Sequence, residues 1–341
     1  MNYQFRNLVF EGGGVKGVAY LGALELLEEK AILGSITRVG GTSAGAIIAL
    51  LIGLNYSRSE IDAEVRALDF NKLLDDSFGV IRDTARLIEE YGWYKGDFFL
   101  QWAGDRVAAK TGNSLATFAE VAAMKGEKGF RDIYFMGTNL ATGFSEIFSA
   151  EHTPAMRVAE AIRISMSIPL FFTARHGYGD ALYVDGGVLD NFPVKLFDRQ
   201  KYIGQNSRVP SYYKELNELL SQTGEPFSPY VYNQETLGFR LDSASEVSVF
   251  RDHEKPVVEK INDFFDYIKA LMKTLLNVQE GNHLHSDDWQ RTIYIDTLGV
   301  GATDFDLDDG TKRALVESGK KGAETYFAWY DNPASSPVNR P

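Results

Sequence analysis

Within its first 55 residues the chain twice drives a short apolar run into a cluster of glycines and then into a helix-like apolar segment. Leu8-Val9-Phe10 stops at Gly12-Gly13-Gly14-Val15-Lys16-Gly17, and Ile36 to Val39 stops at Gly40-Gly41-Thr42-Ser43-Ala44-Gly45. Short apolar runs closed by glycine read as buried strands. Between them, Ala19, Leu21, Ala23, Leu24, Leu26 and Leu27 suit a largely buried helix over Val18 to Glu29, and Ala44 to Leu54 suits a second. Strand–helix–strand–helix order needs crossover connections, so the sequence predicts an α/β fold with a mainly parallel central sheet.

The same reading continues along the chain. Asp132 to Asn139 and Ala181 to Val184 read as strands, and Arg157 to Ser165 as a helix ended by Ile168-Pro169. Residues 56 to 130 are helical and loop-like, with Trp93, Tyr94, Phe98, Phe99 and Trp102 either packed under a cap or forming an interfacial cluster; packing is the favoured reading. Residues 200 to 256 are polar, with scattered Pro and Gly, and read as an irregular insertion. Val257, Val258, Ile261, Phe264, Phe265, Ile268, Leu271, Leu275 and Leu276 recur at helical spacing. Such a stripe is more often core than lid or membrane-facing element. Arg291 to Ile295 reads as a late strand and Gly310 to Tyr330 as a final helix. The expected organisation is a catalytic α/β domain over 8–200, an insertion or cap over 201–289, a strand and helix over 290–330 completing the same domain, and a Pro- and Ser-rich disordered tail over 331–341.

Composition narrows the function. Lys and Arg total 35 against 47 Asp and Glu, a net charge of −12, which argues against a nucleic-acid partner. Cysteine is absent, which excludes disulfides, thiol catalysis and thiolate metal sites. The first residues lack the basic start and long apolar run of a signal peptide, and Ala44 to Leu54 is too short to span a bilayer. A soluble, cytoplasmic protein with at most transient peripheral contact with membranes is expected.

Three motifs can carry chemistry. The loop Gly12 to Gly17 lies between a strand and a helix N-terminus, where free amides and the helix dipole favour an anion. That anion is either a phosphate or the oxyanion of acyl transfer; the bland alternative is a tight packing turn. The loop also fits GxGxxG, but a dinucleotide site wants an acid at the end of the second strand, and that strand ends in Val39-Gly40-Gly41. Gly41-Thr42-Ser43-Ala44-Gly45 fits GxSxG, in which Ser43 would be a nucleophile at a sharp strand-to-helix reversal, or simply the N-cap of the next helix. Asp185-Gly186-Gly187 is either a common turn or a strand-end carboxylate projecting into a site. Together they supply an anion-stabilising loop, a nucleophile and a base at strand ends, the edge where open α/β sheets place their sites.

A Ser-His-Asp triad has no obvious histidine here. Of His152, His176, His253, His283 and His285, only His176 is near a motif, and it is the fallback. The simpler arrangement is a direct Ser43–Asp185 dyad. An exposed Asp is a weak base with a reference pKa of about 3.9; burial would raise it, and oxyanion donors contribute about 3 kcal/mol each.

At this point the chain resembles the patatin-like phospholipase family. The resemblance rests on Gly12 to Gly17, Gly41 to Gly45 and Asp185 to Gly187 in that order, with Arg163-Ile164-Ser165-Met166-Ser167-Ile168-Pro169 and Asn191-Phe192-Pro193 as supporting segments. It covers about residues 8 to 200, and again the last strand and helix. It implies a three-layer α/β/α fold, Ser43 as nucleophile and Asp185 as base. It also implies an oxyanion hole from the amides of Gly12, Gly13, Gly14 and Ala44, with Lys16, Gly17, Gly41, Gly45, Gly186 and Gly187 in support. No metal and no cofactor are implied; the substrates would be phospholipids, lysophospholipids or neutral acyl esters. The rival readings are a nucleotide-binding regulatory module and a catalytically silent interaction protein. Lys16 either supports the loop electrostatically or forms a surface pair. The acidic run Asp304, Asp306, Asp308 and Asp309 lacks EF-hand spacing and reads as the acidic start of the last helix.

Overall fold

The computed structural model of the chain describes residues 3–69, 72, 87, 90–177, 181–204, 207–244, 287–332 and 334, together with 255, 258, 260–264, 266–268, 270, 271, 273–275 and 279. One eight-stranded sheet organises it. Its strands are β1 (Asn7–Phe10), β2 (Arg38–Gly41), β3 (Asp132–Asn139), β4 (Phe144–Ser149), β5 (Arg175–His176), β6 (Leu182–Asp185), β7 (Thr236–Asp242) and β8 (Thr292–Asp296). The pairs β8–β7, β7–β1, β1–β2 and β2–β3 are parallel, whereas β3–β6, β3–β4 and β6–β5 are antiparallel. The result is the expected mainly parallel sheet, made mixed by the strands that join β3, with helices on both sides.

Alternation along the strands separates the two faces. Leu8, Phe10, Ile133 and Phe135 join the main core with the helices Tyr20–Glu29, Ala44–Gly53 and Val158–Ser165. Val9 and Tyr134 point the other way, into a smaller cluster with Phe197 and Tyr202. A strand buried on both faces has no polar side, which is why β1 reads as a continuous apolar run. Of the aromatics in the 56–130 stretch, Phe99 and Trp102 are buried and stack with ring centroids 5.5 Å apart, which is packing. Among the described residues, no helix is long and apolar enough to cross a membrane.

Two expectations need correction. The stretch 200 to 256 is not an irregular insertion throughout. It contains the helix Ser211–Ser221 and then β7, a fully buried strand between β1 and the edge strand β8. The sequence TLGFRLD hides this because Gly238, Arg240 and Asp242 interrupt the apolar run. Arg240 is tolerated there because it pairs with Asp242 at 3.0 Å and lies 4.0 Å from Glu11. The helical stripe near 257–276 is also not mainly core. Ile268 is buried, but Val258, Ile261, Phe264, Leu271 and Leu275 are exposed; Val257, Phe265 and Leu276 lie outside the described residues. Of the tail expected over 331–341, residues 331, 332 and 334 are described and the rest lie outside the described residues. Asp308 does start the last helix, Asp309–Tyr330, by accepting the Thr311 amide at 2.7 Å.

Candidate active site

The sheet register brings the three motifs together. Phe10 at the end of β1 is level with Gly41 at the end of β2, and Gly41 is level with Phe135 of β3. Asp185 ends β6, which runs antiparallel to β3 and faces Gly137. The strand carrying the carboxylate thus arrives from the opposite direction, yet its last residue falls two positions from the level of Gly41.

The nucleophile candidate sits at a strained reversal. Ser43 has φ +52° and ψ −123°, a conformation that non-glycine residues avoid and that persists only where the surroundings enforce it. The turn is tight because Gly45 lies directly against the Phe10 and Glu11 carbonyls, where any side chain would collide. Gly41 faces Gly45 across the same turn. Ser43 occupies the N-cap position of the helix Ala44–Gly53, but its hydroxyl makes no capping bond, so capping does not explain it. Instead its hydroxyl donates to the Met166 thioether at 3.7 Å, and its amide donates to the Ser165 hydroxyl oxygen at 3.0 Å.

Asp185 is buried to 2% exposure. Its Oδ1 accepts the Gly187 amide at 2.7 Å, while its buried Oδ2 meets no hydrogen-bond partner among the described residues. Burial pushes the carboxyl up to about 7; the Gly187 amide and the nearby Ser43 hydroxyl pull it partway back. Gly186 packs on the Met136 carbonyl and Gly187 against Asn191, which holds the turn close to β3.

In the glycine loop, the amides are divided between structure and site. Gly12 donates to the Asn191 carbonyl at 3.0 Å and Val15 to the Ala302 carbonyl at 3.1 Å. The Gly12 amide is therefore committed, and a side chain at this position would collide with Asn191 and crowd Ser43. Among the described residues, the amides of Gly13, Gly14 and Ala44 meet no acceptor. Gly14 has φ +55°, a left-handed geometry suited to glycine, and Gly17 packs on Ala44. Lys16 donates to the Leu241 carbonyl at 3.4 Å, so it braces the loop against β7 and is not simply a surface cation.

Further residues complete the surroundings, and of these only Asn191 lies in a segment that the sequence reading quoted. Buried Glu11 accepts the Leu241 amide at 2.7 Å and the Asn191 side-chain amide at 3.2 Å. Asn191 also donates to the Gly12 carbonyl at 3.1 Å, tying the glycine loop to the segment after Asp185. Gln279 donates to the Gly187 and Val188 carbonyls at 2.9 and 3.0 Å and accepts the Asn191 amide at 2.8 Å. The signal for Glu11 is only that it adjoins a motif, Asn191 belongs to the supporting segment Asn191-Phe192-Pro193, and Gln279 has no signal. The fallback histidine is elsewhere: His176 is exposed and paired with Leu182, and His152 is bonded to Ser149 at 2.7 Å. His253, His283 and His285 lie outside the described residues.

A family model described as patatin-like phospholipase matches residues 8–198. The chain is similar to the uncharacterized protein YqhO of Bacillus subtilis, 30% identical over 332 residues that cover 94% of this chain and 97% of the relative. It is also similar to a probable lipid hydrolase, 463L, of Invertebrate iridescent virus 6, 29% identical over 56% of this chain and 63% of that protein. Among solved structures it resembles VipD from Legionella pneumophila, with a TM-score of 0.57 at 17% identity, covering 95% of this chain and 67% of VipD.

Proposed function

Because the chain belongs to the patatin-like phospholipase family, we propose that it hydrolyses carboxylic esters of lipids, as a phospholipase A or lysophospholipase, with Ser43 and Asp185 as a catalytic dyad. One observation carries the reading: Oδ2 of Asp185, a buried carboxylate oxygen with no partner among the described residues, stands near a hydroxyl held at a strained turn, beside amides that meet no acceptor among those residues.

In this mechanism Ser43 Oγ attacks the ester carbonyl carbon while its proton passes to Asp185. The carbonyl π electrons move onto oxygen, and the resulting oxyanion is held by the amides of Gly13, Gly14 and Ala44 at the N-terminus of the helix Ala44–Gly53. Collapse of the tetrahedral species breaks the bond to the alcohol, which leaves with the proton from Asp185. Water then attacks the acyl–Ser43 ester, giving one proton to Asp185. The second collapse releases the fatty acid, and Ser43 regains the proton. A carboxyl near 7 suits this exchange, because it can both take and return a proton at neutral pH. In the resting arrangement the hydroxyl lies 3.7 Å from the Met166 sulfur and close enough to Asp185 to lower its pKa.

The lipid would be drawn from a surface met transiently. Exposed Val258, Ile261 and Phe264 are available for that contact, and Phe264 lies 6.1 Å from the Trp93 ring. The test is a panel of phospholipids, lysophospholipids and neutral esters scored by mass spectrometry for released fatty acid, beside fluorophosphonate labelling. Release by the wild type with labelling at Ser43 supports the proposal. A folded Ser43→Ala protein that keeps full activity overturns it.

A further inference from the structure

We propose that Ser165 is a positioning residue for the nucleophile, acting on the peptide of Ser43 and not on the substrate; this rests on the reading of Ser43 as nucleophile. A left-handed serine at an elbow needs something outside the turn to keep it there. Most of the bonds around it are local. Gly45 donates to the Thr42 carbonyl at 2.8 Å, Ala46 to the Ser43 carbonyl at 2.9 Å and Thr42 to the Phe10 carbonyl at 3.2 Å. The amide of Ser43 itself is held from across the core, by the hydroxyl oxygen of Ser165 at 3.0 Å. Ser165 is the last residue of the helix Val158–Ser165 and is fully buried. Without its oxygen, the Ser43 amide would be buried with no acceptor, and rotation of that peptide would relieve both the strain and the unmet donor.

Ser165 belongs to a segment that holds both reacting residues. Two positions on, the Ser167 carbonyl accepts the Asp185 amide at 2.8 Å. Between them, Met166 places its sulfur on the Ser43 hydroxyl. One tripeptide therefore touches the nucleophile's amide, the nucleophile's oxygen and the base's amide. The tripeptide is itself anchored. Buried Arg163 donates to the Ser167 hydroxyl at 2.6 Å and to the carbonyls of Lys95 and Gly96 at 2.5 and 3.0 Å, and Ser167 donates back to the Arg163 carbonyl at 2.9 Å. The separation of Ser43 from Asp185 is thus set by a short stretch of chain pinned to residues 95–96 as well as by the sheet.

Fluorophosphonate labelling and steady-state hydrolysis of Ser165→Ala, with the shape-matched pair Ser165→Thr and Ser165→Val, test this. Expected for Ser165→Ala is a fall in kcat and in the labelling rate constant of roughly tenfold to a hundredfold, with KM within about twofold and full labelling reached in time. Threonine should restore much of the rate and valine should not. A folded Ser165→Ala protein with wild-type rates overturns the proposal, as does a loss seen only as a smaller labelled fraction at unchanged rate. Equal rates for the threonine and valine proteins overturn it even if the alanine protein fails to fold. Failure of the wild type to label at Ser43 would instead overturn the dyad reading on which the proposal rests.

Discussion

Asp185 is paired with Gly137 across an antiparallel ladder, two residues farther along β3 than Phe135, the partner of Gly41. An antiparallel strand thereby delivers a carboxylate to the level at which the parallel strands end. The proposed dyad depends on this register, because a one-residue slip of β6 would turn Asp185 to the opposite face of the sheet.

The first prediction concerns the dyad. Ser43→Ala and Asp185→Asn should each lower kcat by roughly a thousandfold or more, leaving circular dichroism unchanged. Steady-state hydrolysis of the preferred lipid measures the loss. Asp185→Asn should also slow fluorophosphonate labelling of Ser43, since the proton has lost its acceptor.

The second concerns pH. A base must be ionised, so hydrolysis should rise with pH through a midpoint near the value of about 7 to which burial pushes Asp185. Stability runs the other way. The folded carboxyl lies above its ordinary value of about 4, so folding favours the protonated form; that contribution is full below about 4 and lost as pH climbs through about 7. Asp185→Asn should therefore be more stable than wild type in urea at pH 8 and about equal to it at pH 4. Asp190, also raised to about 7 by burial, is present in both proteins and drops out of the difference.

The third concerns Gln279. Its side chain makes three hydrogen bonds to the turn that follows Asp185, and Gly187 in that turn donates to Asp185 Oδ1. Gln279→Ala should lower kcat roughly three- to tenfold, the worth of one or two such bonds, with little change in thermal midpoint. Unchanged kinetics would mean that the contact does not order the turn.

The fourth is a control far from the chemistry. Arg291, fully buried, pairs with Asp198 at 2.5 and 2.8 Å and with Asp288 at 2.7 Å, and Asp198 also accepts the Tyr213 hydroxyl at 2.6 Å. Asp198→Ala leaves a buried cation short of its partner and should cost about 3–5 kcal/mol in urea unfolding. The rate per labelled Ser43 should stay at the wild-type value.

The site was legible in the sequence where backbone sterics write themselves as glycine. Gly45 against the Phe10 carbonyl and Gly186 against the Met136 carbonyl permit no other residue without movement, so the motifs around Ser43 and Asp185 announce their turns. β3 and the helix Val158–Ser165 were legible from apolar pattern. β7 was not, because Arg240 and Asp242 are buried through each other, a pairing that local pattern cannot reveal. The committed amide of Gly12 was equally hidden: its acceptor, Asn191, is remote in sequence, and only the fold brings them to 3.0 Å.

The place of β7 between β1 and β8 has a consequence for biosynthesis. As the chain leaves the ribosome, β1 emerges well before β7, so one of its two edges stays open until residue 242 has been translated. The stretch that bears both Ser43 and Asp185 must wait, with an apolar strand uncovered, for a neighbour made much later. A truncated product ending near residue 200 would carry both Ser43 and Asp185 and still lack the strand that closes their scaffold, so it should be captured by chaperones or proteases before it could act on any ester.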